Sequence, residues 1–262
     1  KNTGAGLKAF VTSQRDNEVM VVDLQIGTFS TIPVGVSPSR LLLSADEQQL
    51  FVANSESDSI SIIDTSQNRV TQTLSLARRN YPYIGSMPNA MALSPDGGTL
   101  YVTLAGENAV ALVNLKTGRV TGRIPTAWYP NALSVSQDGK TLYVVNAKSP
   151  SGPNPAGGRT TDAAEARNTT FRNEYVLALN KAGITVIPLP NRRDLNRPSR
   201  LVNHNNGFDK WRRIDPVMKQ LANKIEHVVY IIKENRTYDQ VLGDLPVGNG
   251  DPRSEEHTSE LQ

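Results

Sequence analysis

The chain has 262 residues, a formal net charge of +3 and no cysteine, which excludes disulfides, thiol nucleophiles and cysteine-based zinc sites. Its three histidines, of which His257 lies near the C-terminus, are too few for a histidine-rich metal centre. No apolar run reaches the roughly 18 residues of a membrane-spanning helix, so we expect no membrane span.

Short β-branched or alternating runs, separated by turn residues, begin at the N-terminus. Residues 7–12, 18–24 and 28–34 predict three strands of a first four-stranded unit. Residues 36–76 predict a complete second unit. Ala77–Met87 (ARRNYPYIGSM) is an insertion that separates the second unit from the third.

The third unit, residues 88–126, shows the pattern most clearly. It predicts strands over residues 89–94, 99–104, 109–115 and 119–125. The intervening segments, PDGG, GEN and KTG, contain the Gly, Asn or Asp that hairpin turns favour. Four antiparallel strands of this length predict one small twisted sheet.

The same unit repeats along the chain. Leu100-Tyr101-Val102 of the predicted second strand has counterparts in Ala9-Phe10-Val11, Leu50-Phe51-Val52 and Leu142-Tyr143-Val144, at steps of 41, 50 and 42 residues. The long step contains the insertion. A period of about 40 residues with four strands per period is typical of β-propeller blades. The sequence therefore predicts an all-β fold, a partial propeller of about four blades.

The fourth unit is interrupted. It begins with residues 130–136 and 141–146, and then a loop rich in Pro, Gly, Ala and Thr occupies residues 148–173. Two interpretations of this loop are open: a disordered segment or loose flap, or a loop that covers the propeller face. Residues 174–180 and 183–188 are predicted to form a hairpin that completes the blade.

SPDGGTLYVTLAGENAVALVNLKTGRV, residues 94–120, resembles the repeat of the YVTN β-propeller family. The resemblance covers residues 7–190 in three clear copies, which gives a predicted propeller domain over residues 1–190. Members usually have seven blades and are mostly bacterial and extracytoplasmic. The resemblance therefore implies a periplasmic or secreted protein, but propellers support many different activities and the repeat alone does not define one.

Residues 191–224 carry nine Lys and Arg against three Asp. Basic segments can bind nucleic acids, but aromatic residues here are limited to Phe208 and Trp211. We interpret the segment as a solvated linker and expect no nucleic-acid partner. Asp215 and Pro216 predict the start of a short helix, because Asp caps helices and Pro suits the first helical position.

Residues 225–245 read IEHVVYIIKENRTYDQVLGDL. His227–Ile232 is an apolar run that predicts a strand buried on both faces of a parallel sheet. A polar loop and a predicted helix over residues 237–242 follow. A strand that leads into a loop and a helix is the first unit of an α/β fold, whose sites lie at the carboxyl ends of strands.

HVVYIIKENRTYDQVLG, residues 227–243, is similar to the opening motif of the phosphoesterase family that includes bacterial phospholipases C and acid phosphatases, in the alkaline phosphatase superfamily. The Glu-Asn pair of that family supplies metal ligands, which implies Glu234 and Asn235 as ligands of a divalent cation of unknown identity. Their oxygens are hard donors suited to such ions. The residues alone also allow a cap on a helix that begins near Arg236. Tyr238 and Asp239 are expected to support the loop.

Arg253–Gln262 (RSEEHTSELQ) resembles the translation of a common short-read sequencing adapter, and we leave it out of fold reasoning. This tail contains one Arg and three Glu, so the remaining chain carries +5. We expect a fragment cut at both ends, with residues 225–252 as the truncated start of a phosphoesterase domain. The nucleophile and the other metal ligands are expected to be missing, so no catalytic residue is assigned within this chain.

Our leading interpretation is an exported bacterial protein whose parent hydrolyses a phosphoester with the help of a metal ion and carries an accessory propeller. The chain by itself is expected to be inactive. One alternative is a non-catalytic propeller that binds a ligand or protein on its face. A second alternative is a lactonase-like propeller enzyme, which needs carboxylates and histidines near the channel, and the blade repeats contain no histidine.

Overall fold

The computed structural model describes residues 2–3, 6–78, 81–148, 182–210, 216–222 and 224–231. In these ranges the chain forms four antiparallel sheets, which are successive blades of a β-propeller. Blade 1 contains β1 (Asn2–Thr3), β2 (Gly6–Ser13), β3 (Glu18–Asp23) and β4 (Phe29–Pro33), and blade 2 contains β5 (Pro38–Leu43), β6 (Gln49–Asn54), β7 (Ser59–Asp64) and β8 (Arg69–Ser75). Blade 3 contains β9 (Pro88–Leu93), β10 (Thr99–Leu104), β11 (Ala109–Asn114) and β12 (Arg119–Pro125). The predicted all-β propeller is confirmed.

Blade 4 departs from the prediction in its third strand. Its described strands are β13 (Pro130–Val135), β14 (Thr141–Asn146) and β15 (Gly183–Pro188), and β15 pairs directly with β14. Residues 183–188 therefore form the third strand of the blade. The prediction placed residues 174–180 as the third strand and residues 183–188 as the fourth. The predicted strand over residues 174–180 and the long loop over residues 148–173 lie outside the described residues, except for Lys148.

The blades pack face to face through hydrophobic cores. The second strand of blade 2, β6, contributes side chains to the cores on both faces of its blade. Leu50 and Val52 of β6 belong to the core shared with blade 1, whereas Phe51 and Ala53 belong to the core shared with blade 3. All four side chains are at most 3% exposed. Because successive side chains of a strand point to opposite faces, a strand buried on both faces is apolar throughout. This explains the repeated apolar signature of the second strands.

The turn between the first and second strands has the same hydrogen bonds in three blades. A serine hydroxyl donates to the Oδ1 atom of the aspartate two residues later, at 2.6, 2.5 and 2.5 Å for Ser44, Ser94 and Ser136. The same Oδ1 atom accepts a backbone N–H from Gln48, Gly98 or Lys140, at 3.0, 3.0 and 3.1 Å. These bonds satisfy the polar groups of the turn and explain the recurring Ser-x-Asp sequence.

One residue between the second and third strands joins each blade to the next, and we call it the latch residue. The latch residues are Asn17, Asp58 and Asn108, all with φ between 45° and 59°. Their carbonyl oxygens accept N–H groups from Val34, Leu76 and Thr126, the residues that follow the fourth strands, at 2.8–2.9 Å. Their side chains accept N–H groups from Ser37, Met87 and Tyr129, the residues that precede the next blades, at 2.8, 3.3 and 2.9 Å. Each latch residue therefore holds both ends of the connection between two blades.

Residues 192–205 do not form the predicted solvated linker. A 3-10 turn (Arg192–Leu195) leads into α1 (Asn196–Asn205), and this segment packs against β12 at the edge of blade 3. Leu195 and Val202, seven residues apart and so on one side of the helical segment, are 4% and 1% exposed. Covering the edge strand shields its unpaired backbone groups. The first compact unit accordingly extends to Trp211, beyond the predicted boundary at residue 190.

The second unit spans Arg212–Gln262 and is described only over residues 216–222 and 224–231. Its α2 (Pro216–Ala222) confirms the predicted short helix. Residues 225–231 are not a strand, contrary to the prediction for His227–Ile232, and Val228–Ile231 are 80–85% exposed. A strand needs a hydrogen-bonded neighbour, and no described strand pairs with this segment.

Candidate functional site

The residues singled out in the sequence for metal binding, Glu234 and Asn235, lie outside the described residues, as do Tyr238 and Asp239. Within the described ranges, no group of three or more His, Cys, Asp or Glu side chains is placed to hold a metal ion. No helix in the part of the chain that the structure describes has the length and apolar character of a membrane span. Among the described residues, charged side chains come together at another place, on blade 3.

This site is a buried charged cluster formed by Arg78, Glu107 and Arg123. Arg78 lies at the start of the insertion, Glu107 ends a 3-10 turn (Ala105–Glu107) and Arg123 belongs to β12. Arg78 Nη2 contacts Glu107 Oε2, and Arg123 Nε lies 3.2 Å from the same oxygen. The side chains are 11%, 2% and 10% exposed. One carboxylate is thus shared by two guanidinium groups in a region largely shielded from water.

The other Glu107 oxygen is also used. Ser86 donates its hydroxyl to Glu107 Oε1 at 2.7 Å. Gly106, next to Glu107, sits so close to the insertion that an added Cβ would lie 2.0 Å from the carbonyl oxygen of Gly85. Only glycine fits there, because real Cβ atoms do not approach backbone oxygens so closely. The turn that carries Glu107 and the insertion are therefore built to pack against each other.

The helical segment after blade 4 completes the cluster. Asn203 of α1 accepts a hydrogen bond from Arg78 Nη1, and Asn206 donates to the backbone carbonyl of Glu107 at 2.9 Å. Ser199 accepts the backbone N–H of Arg123 at 2.9 Å. These polar contacts, together with the buried Leu195 and Val202, fix α1 on blade 3.

Burial lowers the pKa of the Arg123 guanidinium below its ordinary value, and neighbouring Arg78 lowers it further. Glu107 and Asp58 oppose this change because negative charge favours the protonated guanidinium. Arg123 still carries its charge at neutral pH, since arginine loses its proton only at very high pH. Its Nη2 atom donates to the carbonyl oxygen of Leu76 at 2.5 Å, which ties β12 to the end of blade 2.

Two cavities adjoin the cluster. The larger, about 860 Å³, is lined by Arg78 and Arg123 among others, and the smaller, about 270 Å³, is lined by Arg78 and Glu107. Tyr81 and Phe208 line both. Their rings meet edge to face at 4.8 Å between centroids, and the Arg78 guanidinium lies 4.0 Å from the centroid of Phe208.

The sequence predicts the insertion but indicates no role for Arg78, Glu107 or Arg123. A signal was present at Glu107, because the same turn position, just before the latch residue, holds Asp16 in blade 1 and Ser57 in blade 2. Asp16 is exposed, whereas Glu107 is buried. An acidic residue in a turn next to an Arg-containing insertion was the available indication of a buried pair.

The chain is similar to known proteins over part of its length. No family model matches the chain. Uncharacterized protein YncE from Salmonella typhimurium and the protein of the same name from Salmonella typhi are each 29% identical over 100 residues, 38% of this chain. The match spans about a quarter (26%) of the length of these curated relatives.

Two solved structures are similar in part. Hydrazine synthase from Kuenenia stuttgartiensis matches with a TM-score of 0.47 and 26% identity, over 53% of this chain and 39% of that one. Virginiamycin B lyase from Staphylococcus aureus matches with a TM-score of 0.45 and 16% identity, over 54% of this chain and 46% of that one. We draw no functional conclusion from likenesses of this extent.

Proposed function

We propose that this chain is part of a metal-dependent phosphoester hydrolase that carries a β-propeller accessory module. The observation that carries the proposal is the order of two segments, four propeller blades followed by the motif HVVYIIKENRTYDQVLG at residues 227–243. The propeller alone does not define an activity. The motif adds the donor chemistry that a phosphoesterase of the resembled family needs.

Glu234 and Asn235 are the residues that we assign to the metal. A carboxylate and an amide carbonyl are hard oxygen donors, which suit divalent cations such as Mg²⁺, Ca²⁺ or Mn²⁺. A bound cation stabilises negative charge on a phosphoryl oxygen. In this proposal Glu234 supplies anionic charge to the site and Asn235 a neutral donor, and the phosphoester is the substrate.

The propeller serves as a rigid base in this proposal. Its last described segment before residue 211 is fixed to blade 3 by the contacts of α1 with the buried charged cluster. The support for this role is that buried polar and apolar contacts hold the segment on blade 3.

We also propose a periplasmic or secreted location, which the resemblance of residues 7–190 to a mostly extracytoplasmic repeat family supports. Fractionation of cells that express the gene from its own promoter tests it. Recovery of the protein with cytoplasmic markers would contradict this part of the proposal.

The test of the activity uses the longest natural gene product that contains this chain. Initial rates are measured on 4-nitrophenyl phosphate and bis(4-nitrophenyl) phosphate, with several divalent metals and with a chelator. We expect a metal-dependent rate. Glu234→Ala should lower this rate by about 10-fold or more, because even residues that only hydrogen-bond to metal ligands contribute about 10- to 100-fold.

Glu226→Ala is the matched control, because Glu226 is an exposed glutamate of the same segment and outside the Glu-Asn pair. It should leave the rate within about twofold of wild type, as expected for a surface substitution. No hydrolysis with any metal, or an unchanged rate in Glu234→Ala, would refute the hydrolase. The non-catalytic binding propeller would then be the better interpretation.

A further inference from the structure

The larger cavity beside the charged cluster lies between the outer strands of blades 2 and 3, and we call it the rim pocket. Its volume is about 860 Å³, which lies within the range of roughly 300–1,000 Å³ for small-molecule sites. The residues that matter for its chemistry are Arg78, Arg119, Arg123, Tyr81, Asn203 and Phe208. They come from the insertion, from β12 and from the segment of α1, so three separate parts of the chain converge on it.

The charge of the lining is one-sided. Among the described residues that line the rim pocket, three carry guanidinium groups and none is Asp or Glu. The shared carboxylate, Glu107, lines the smaller neighbouring cavity instead. Arg119 is exposed, whereas Arg123 is buried. Glu107 and the nearby Asp58 together balance Arg78 and Arg123, so the excess positive charge beside the pocket comes from Arg119.

One buried donor in this lining has no acceptor among the described residues. The Nε atom of Arg78 is buried and donates no hydrogen bond there. Arg123 Nε, in contrast, lies 3.2 Å from Glu107 Oε2 and is paired with that carboxylate. A buried N–H without an acceptor is unfavourable, and guanidinium groups pair best with planar or tetrahedral oxyanions. An anion in the rim pocket would supply acceptors.

The remaining lining is aromatic. Tyr81 and Phe208 meet edge to face at an interplanar angle of 69°, and Arg78 stacks over Phe208. Such a wall favours a flat ring over a compact inorganic ion, because ring contacts add to the burial of apolar area. The hydrogen bond from Arg78 Nη1 to the Asn203 amide oxygen fixes the orientation of the Arg78 guanidinium group.

We propose that the rim pocket binds a small organic anion in which a carboxylate or phosphonate-type oxyanion is attached to a planar ring. The oxyanion pairs with Arg119 and with the Arg78 and Arg123 side chains, and the ring packs against Tyr81 and Phe208. This site is separate from the proposed metal ligands Glu234 and Asn235. It gives the propeller a ligand of its own.

The probe is phenylphosphonate, which has no ester bond to hydrolyse, so its binding is measured independently of any phosphoesterase activity. Isothermal titration calorimetry with the full chain at low ionic strength should give saturable binding of one molecule per chain. Benzoate should compete for the same site, and phenol, which lacks the charge, should not. Inorganic phosphate should bind at least about fivefold more weakly than phenylphosphonate, because it lacks the ring.

Arg119→Gln should weaken phenylphosphonate binding at least about fivefold, since charge-assisted hydrogen bonds are the stronger kind. Arg69→Gln is the matched control: Arg69 opens the fourth strand of blade 2 as Arg119 does in blade 3, both side chains are exposed, and Arg69 does not line the pocket. Both variants change an exposed residue, so circular dichroism should show wild-type folding.

Three results would overturn the proposal. Absence of saturable binding up to about 10 mM phenylphosphonate would exclude a site of useful affinity. Equal weakening by Arg69→Gln and Arg119→Gln would show attraction by overall charge and not by the rim pocket. Equal affinity for inorganic phosphate would remove the ring from the proposal. None of these results depends on Glu234 or on a metal, so failure here is distinguishable from failure of the hydrolase.

Discussion

Glu107→Gln tests whether the buried charged cluster holds the first unit together. The substitution keeps the volume and one carbonyl acceptor but removes the negative charge shared by Arg78 and Arg123. Removal of one partner of a buried ion pair costs about 3–5 kcal/mol, because the other charge stays buried without compensation. Glutamine still accepts a hydrogen bond, so we expect the lower end, about 3 kcal/mol. That is a large part of the roughly 5–15 kcal/mol that stabilises a typical domain.

The assay is urea unfolding followed by circular dichroism, with the free energy of unfolding obtained by linear extrapolation. The control is Asp16→Asn, because Asp16 has the same turn position in blade 1 but is exposed. It should change the free energy by no more than about 0.5 kcal/mol. If Glu107→Gln also stays within about 0.5 kcal/mol, the cluster contributes nothing that a neutral side chain cannot supply. Our reasoning about its burial would then be wrong.

Two further predictions concern the repeated turns. Asn108→Ala should lower the free energy of unfolding by about 2 kcal/mol in the same assay, since it removes the acceptor for the Tyr129 N–H and puts alanine at φ 51°. Asn108→Gly should lower it by only about half as much, because glycine tolerates that φ. Equal losses in the two variants would show that the backbone conformation contributes nothing. The pKa values of Asp96 and Asp138 are lowered below 3.8, first by the hydroxyls of Ser94 and Ser136 and then by backbone N–H groups. Because folding favours the ionised form, their contribution is fully present above pH 3.8 and is lost as the pH falls below 3.8 through the folded-state pKa values. The double variant Asp96→Asn, Asp138→Asn should therefore be less stable than wild type at neutral pH and approach it as the pH falls below that value, and a pH-independent difference would contradict this origin.

The blades could be predicted from the sequence because their determinants are local. An apolar second strand such as Leu50–Asn54 is buried on both faces, and its flanking turns hold residues with strong conformational preferences. The predicted strand bounds in blades 1 and 3 accordingly agree with the structure to within one residue at each end. The Ser-x-Asp turns are local in the same way, since every atom that they need lies within five residues.

The charged cluster could not be predicted because its members are distant in sequence. Arg78 is 29 residues from Glu107 and 125 residues from Asn203, and only the packing of α1 on β12 brings these side chains together. The same distance effect explains the error over residues 192–205. Two buried residues, Leu195 and Val202, give too weak a pattern for a basic segment to be recognised as a docked helix.

The latch residues also determine where the chain can accept new sequence. Two residues separate Val34 from Ser37 and Thr126 from Tyr129, whereas ten residues, 77–86, separate Leu76 from Met87. The hydrogen bonds at both ends are nevertheless the same, because each latch residue fixes the end of one blade and the start of the next independently of the length between them. The ten residues of the second connection are therefore compatible with the same latch. Of the two short connections, Ala127-Trp128 is the better position at which to graft a peptide loop, because Gly35 leaves no room for a Cβ beside Asn54 and the Val36 N–H donates to Ser57 Oγ.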